Sequence, residues 1–213
     1  MCWCVGAVDG RNRETVAARR VTVVTGPRQS GKTTLVVSQF GDGTLRNLDE
    51  QGVLDAARTD PAGFVAARAR PVVIDEVQRG GEPLVRAIKA AVDRDPDPGR
   101  FVLTGSSNVL TVPTISESLT GRAGFVAVWP FTQEELVGHT DRFLDTALAE
   151  PSALADYRSP AIDRRDLFER RCAGGYPEVQ QLPSRQRPSW FRDYVRTTIE
   201  RDVVELTGIR KVA

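Results

Sequence analysis

The chain has 213 residues, 40% of them hydrophobic, which is enough for one sizeable α/β core and a smaller appendage. Lysine and arginine total 29 against 28 acidic residues, and the resulting charge of +1 excludes a global signal for nucleic acid or an anionic membrane surface. No apolar run approaches the roughly 20 residues that span a bilayer, and the N-terminus lacks a basic region followed by a long apolar one, so the expectation is a cytoplasmic protein with no membrane partner. Three cysteines, Cys2, Cys4 and Cys172, together with the single His139, fall short of a zinc set and read as free thiols of a reducing compartment.

In chain order, the first short apolar run is Val21 to Thr25, followed by Leu45 to Leu48, Val72 to Ile74, Phe101 to Thr104 and Phe125 to Trp129. Runs this short and this continuously apolar suit strands buried on both faces of a parallel sheet. Gly31 to Gln39 reads as a helix behind the first run, and Leu84, Val85, Ile88, Ala91 and Val92 recur at helical spacing. Strand, loop and helix in repeated alternation predict an α/β sandwich of three layers.

After Pro130 the character changes. Phe131 to Val137 predicts a short helix whose Thr-Gln-Glu-Glu start has capping chemistry, and the remainder is helical by pattern, broken by Pro151, Pro160, Pro177, Pro183 and Pro188. The last helix, near Trp190 to Leu206, places Val195, Ile199, Val203 and Leu206 on one face. From Arg158 to Lys211 there are 12 basic and 8 acidic residues; this local excess of +4 fits a solvated helical face, with a nucleic-acid patch as the competing account. The predicted division is a core over residues 1–138 and a helical lid region over 139–213.

The segment Gly26-Pro27-Arg28-Gln29-Ser30-Gly31-Lys32-Thr33, continued by Thr34, fits G-x-x-x-x-G-K-[ST] in full. Glycines let such a loop wrap so that backbone N–H groups and the next helix N-terminus face phosphate oxygens; Lys32 would reach the β and γ phosphates and Thr33 would ligate Mg2+. Only three lysines occur, at 32, 89 and 211, so Lys32 stands out from an arginine-dominated surface. The run ending in Asp75-Glu76 supplies two carboxylates: Asp75 to hold Mg2+ through water, Glu76 to act as general base on the attacking water. A strand-terminal helix cap is the structural alternative for Asp75. Glu76 directly after Asp75 favours ATP over GTP, and no Asn-Lys-x-Asp motif appears.

The strand ending at Thr104 should lie between the first and third, so Ser106, Ser107 and Asn108 are candidates to face the γ-phosphate water, Ser106 or Ser107 first among them, with an ordinary Gly-Ser turn as an equal competing account. Arg122 falls before the fifth strand and can project from the sheet edge toward the nucleotide of an adjacent subunit, or form an ion pair within the fold.

The segments GPRQSGKTTL, VVIDEVQR, FVLTGSSN, SLTGR, WPFTQEEL, GGYPE and YVRTTIERDVVEL, in that order, resemble the prokaryotic AAA-fourteen ATPases. The resemblance runs from about Arg20 to nearly the end of the chain. It implies an AAA-type sheet of strand order 5-1-4-3-2 with a helical lid, ATP and Mg2+ as ligands, and Gly31, Lys32, Thr33, Asp75 and Glu76 as the site; Gly174, Gly175, Tyr176 and Pro177 would be lid-turn residues. Members usually have a helical lead-in and a further C-terminal domain, whereas residues 1–20 look short and polar and the chain stops at IRKVA, which reads as a C-terminal truncation. Two functions follow as expectations: an ATPase, and a nucleotide-dependent binding or regulatory module acting through a protein or DNA partner. Homo-oligomerisation belongs to the first. A small-molecule kinase shares the loop but lacks a recognisable arginine-rich lid.

Overall fold

The computed structural model describes residues 6–41, 45–66, 70–105, 117–138, 143–156 and 162–207. The chain divides into two compact units, Met1–Pro130 and Phe131–Ala213. The first is built on five strands, β1 (Val21–Thr25), β2 (Leu45–Asn47), β3 (Val72–Asp75), β4 (Phe101–Thr104) and β5 (Ala123–Ala127), all paired in parallel in the order β2-β3-β4-β1-β5. This is the 5-1-4-3-2 order that the resemblance implies.

The strand pattern explains the two-faced burial. In β1, Val21 and Val23 join one apolar cluster while Val24 joins the other, and β3 and β4 divide Val72/Ile74 from Val73 and Phe101/Leu103 from Val102 in the same way. Helices α1 (Gly6–Ala18) and α2 (Lys32–Phe40) contribute Val16, Leu35 and Val36 to one face; α3 (Gln51–Thr59), α4 (Pro61–Val65) and α5 (Gly81–Arg94) contribute Leu54, Ala57, Val65, Leu84, Val85, Ile88 and Val92 to the other. Complete burial of a side chain such as Phe101, Ile74 or Ile88 contributes about 1.5–3 kcal/mol each. Alternating burial is what the period-two geometry of a strand demands once both faces are covered.

Two differences from the expected elements have local causes. The fifth strand begins at Ala123, two residues before the apolar run, because Ala123 and Gly124 pair with Val21 and Thr22 and the absent side chain at Gly124 admits Thr15 and Arg19 of the α1 region. The polar N-terminal segment is a helix, α1, which carries no continuous apolar stripe; it is seated through Val16 and Asn12, four residues apart and both buried.

The second unit contains α6 (Gln133–Val137), α7 (Phe143–Ala149), α8 (Arg164–Ala173), α9 (Pro177–Gln181) and α10 (Arg187–Thr207). Thr132 caps α6: its hydroxyl accepts from Glu135 N at 3.2 Å and the Glu135 carboxylate accepts from Thr132 N at 2.8 Å, the reciprocal box expected from Thr-Gln-Glu-Glu. The Gly-Gly-Tyr-Pro-Glu segment forms the corner between α8 and α9. Phe131 N donates to Gly175 O at 2.8 Å, and a Cβ at Gly175 would stand 2.0 Å from the Phe131 carbonyl oxygen, so only glycine permits this approach. Tyr176 gathers Trp190, Phe191 and Tyr194 of α10 around it, with the Trp190 and Tyr194 rings stacked at 5.0 Å and the two tyrosine hydroxyls 3.2 Å apart. Burial and the Tyr194 hydroxyl push the Tyr176 phenol well above its ordinary value. Of the predicted apolar face of the last helix, Val195 and Ile199 are 52% and 48% exposed, so neither is packed away; the side chains of Val203 and Leu206 lie outside the described residues.

Candidate functional site

Strand register assembles the site. Val24 of β1 stands beside Thr104 of β4, and Ile74 of β3 beside Leu103, so the C-terminal ends of the three central strands present Thr25, Asp75 and Thr104 along one edge of the sheet. Polar groups at that edge face the crevice outside the strand ends, where open α/β sheets bind ligands. From Thr25 the chain enters the loop at Gly26, whose φ of +151° and whose approach to Val128 leave no room for a side chain: a Cβ would lie 2.1 Å from the Val128 carbonyl oxygen. Gln29 at φ 59° and Gly31 at φ 95° complete the curl, and α2 begins at Lys32. The start of that helix therefore faces the loop's interior with its first N–H groups, the arrangement that favours phosphate.

Lys32 is 7% exposed, and its Nζ donates to the loop's own carbonyls, Gly26 O at 3.1 Å and Pro27 O at 2.8 Å. Burial holds its pKa below the ordinary 10.5; the Glu76 and Asp75 carboxylates act in the opposite direction, and Arg28 acts with burial. Ser30 is 4% exposed, and its hydroxyl meets no partner among the described residues. Pro27 and Arg28 are half-buried, and Gln29 and Thr34 are exposed.

Asp75 is 5% exposed and surrounded by donors. Thr33 Oγ1 donates to its Oδ2 at 2.8 Å, Thr104 Oγ1 donates to its Oδ1, and Glu76 N reaches the same oxygen at 3.2 Å. The carboxylate thus bridges the phosphate loop and the middle strand, and the helix-cap alternative does not describe it. Glu76 follows in the left-handed region, φ 54° and ψ 47°, and its carboxylate accepts from Gln78 Nε2. The sequence reading did not single out Thr104 and Gln78. A hydroxyl inside an apolar strand and an amide in a short turn give no motif by themselves; strand register would have pointed to Thr104, as the last residue of the strand beside the Asp75 strand.

The residues present fit Mg2+ with a nucleotide. Among the described residues no group of three His, Cys, Asp or Glu side chains could enclose a metal alone, but Mg2+ in phosphate sites takes one or two protein oxygens and completes its shell with phosphate and water. Thr33 Oγ1 and the Asp75 carboxylate are such a pair, and the unpartnered Ser30 hydroxyl together with the inward-turned Lys32 marks a polar cradle.

Arg122 stands elsewhere. It immediately precedes β5, and its carbonyl accepts from Val21 N at 3.4 Å, which places it at the strand-start edge opposite the loop. All three guanidinium nitrogens are engaged: Nε with Asp93 Oδ1 at 2.5 Å, the second terminal nitrogen with Asp93 Oδ2 at 3.1 Å and the first with Thr120 O at 3.3 Å. Ser106, Ser107 and Asn108 lie outside the described residues.

Among the described residues no helix is long and apolar enough to cross a membrane. Comparison with known proteins agrees with the fold. The chain is 33% identical over 213 residues to uncharacterized proteins of Mycobacterium bovis and of Mycobacterium tuberculosis, covering 98% of this chain and 42% of each relative's length. A solved Walker-type ATPase of Pyrococcus abyssi superposes with a TM-score of 0.54 over 96% of this chain and 75% of that one; at 15% identity this likeness speaks to the fold alone. The model of a domain of unknown function, DUF8612, matches residues 164–213, and that of AAA_14, described as an AAA domain, matches residues 18–137. The latter match takes in every strand and more than half of the sequence, and with it the chain belongs to the AAA_14 family of P-loop, ATPase-type AAA domains.

Proposed function

We propose that the chain binds ATP with Mg2+ at the phosphate loop and hydrolyses it. The observation that carries this reading is the bridge from Thr33 through Asp75 to Thr104, which joins the loop to a second acid at hydrogen-bond distance with Glu76 as the next residue. Backbone N–H groups of residues 28–31 and the start of α2 receive the phosphates, while Lys32 leaves the Gly26 and Pro27 carbonyls for the β and γ oxygens. Thr33 and Asp75 would hold Mg2+, which supplies charge neutralisation at the phosphates. Glu76 takes the proton of the attacking water as its oxygen bonds to the γ-phosphorus and the bridging oxygen leaves with ADP. On this reading Ser106 orients that water and Arg122 serves a neighbouring copy of the chain.

A second reading, a nucleotide-dependent binding or regulatory module with little turnover, draws support from Arg122, whose three nitrogens are all committed to partners within its own fold. Its output would be a protein or DNA partner. Phosphate release and ATP affinity, measured with and without Mg2+ for the wild-type chain, Lys32→Ala and Glu76→Gln, separate the two. Hydrolysis requires wild-type release that Lys32→Ala abolishes and Glu76→Gln lowers by about a hundredfold or more, with ATP affinity retained in Glu76→Gln; tight binding without release establishes the module.

A further inference from the structure

Glu76 carries two anomalies that its proposed role does not by itself require. Its backbone is in the left-handed region, where a side chain costs of order 1–3 kcal/mol and persists only if its surroundings hold it. Among the described residues its carboxylate is held by the amide of Gln78, two residues on in the same short turn, Val77–Gly80. A carboxylate accepts and cannot donate, so the Gln78 group facing it is the NH2 end, and this fixes the direction of the amide. The other end, Oε1, is then turned away from Glu76; it is buried and meets no donor among the described residues.

The turn itself is anchored on both sides. Val77 and Gly80 are buried, Arg79 pairs with Asp49, and Arg58 donates to the Arg79 carbonyl at 3.1 Å. Gln78 is therefore presented from a fixed backbone. An amide donor presented from a fixed backbone and committed to a carboxylate holds that carboxylate in one place.

We infer that Gln78 is a positioning residue for Glu76, fixing the carboxylate through Nε2. The inference rests on the hydrolytic reading above and deepens it. It assigns to Gln78 an effect on turnover that passes through Glu76 and leaves ATP binding alone.

The test is a double-mutant cycle on the purified 213-residue chain, reading kcat for phosphate release and, separately, the dissociation constant of ATP. Gln78→Met keeps the length of the side chain and removes both ends of the amide. The expected result is a kcat lower by about tenfold or more, within the range for a misplaced general base, an unchanged dissociation constant, and no further loss when Gln78→Met is added to Glu76→Gln. Gln78→Glu, which keeps the shape but sets an acceptor against an acceptor, should lose kcat to a similar degree and serves if Gln78→Met does not fold. Losses that multiply in the double variant, or an ATP affinity that falls in step with kcat, would show a merely structural role and overturn the inference while leaving the hydrolytic reading intact. A wild-type chain that binds ATP and releases no phosphate overturns both.

Discussion

Gly26 shows how one missing carbon atom makes room for the site. With φ at +151° and the Val128 carbonyl 2.1 Å from where a Cβ would sit, Gly26→Ala must displace either the loop or the segment after β5. The expected outcome is a loss of stability of about 1–3 kcal/mol together with loss of ATP binding, read by denaturant titration and by equilibrium binding. Asp75 gives the complementary case. Thr104→Val preserves shape while withdrawing a hydroxyl from a buried carboxylate, and should cost about 1–3 kcal/mol in the nucleotide-free chain; an unchanged denaturation midpoint would mean that the Asp75–Thr104 contact is energetically idle. The loop and the two acids were legible in the sequence because each is a local pattern, a glycine-rich loop between an apolar run and a helix and a pair of carboxylates closing an apolar run. Thr104 and Gln78 were not, since their contribution depends on which strands are neighbours and on the handedness of one backbone turn.

Elements were legible in proportion to how directly burial fixed their composition. The three inner strands, β1, β3 and β4, had to be buried on both sides and fell within a residue of their expected limits, whereas β2 and β5 lie at the sheet edges and β5 begins with Ala123-Gly124, where close packing of α1 replaces side-chain bulk. The capping box of α6 was legible because it is local. Five residues form too short a helix to persist on propensity alone, so Thr132→Ala, worth about 1 kcal/mol, should appear as faster amide hydrogen exchange confined to Glu135 and its neighbours; uniform exchange rates would show that tertiary contacts hold the turn. Between α5 and β5 the tie is ionic. The Arg122 hydrogen bond holds the Asp93 carboxyl below its ordinary 3.8, so the pair stabilises the fold above that value, and the contribution is lost as pH falls through the lowered one. Melting temperature should therefore fall less steeply with acidification below about pH 4 in Asp93→Asn than in the wild type; parallel curves would mean that solvent screening cancels the pair.

For the molecule as a whole, the decisive geometry is that a parallel sheet has two different edges. The phosphate loop leaves the strand-end edge after Thr25, while Arg122 is pinned beside Val21 at the strand-start edge, about 13 Å back along β1. That separation exceeds the span of an arginine side chain, whose nitrogens in any case face Asp93 and Thr120. Arg122 can therefore assist hydrolysis only at the loop of another copy, and a chain acting alone must do without it. Arg122→Ala and Lys32→Ala would then damage different copies of the same composite site. Each variant alone should release little phosphate, whereas an equal mixture should recover release, because the Lys32→Ala copy lends Arg122 to an intact loop on the Arg122→Ala copy. In the wild type, release should climb faster than linearly with protein concentration. Steep concentration dependence without recovery in the mixture would separate association from Arg122 and return that residue to its ion pair; linear dependence with wild-type activity in Arg122→Ala would make each chain a self-sufficient ATPase, with the Asp93–Arg122 pair serving stability alone.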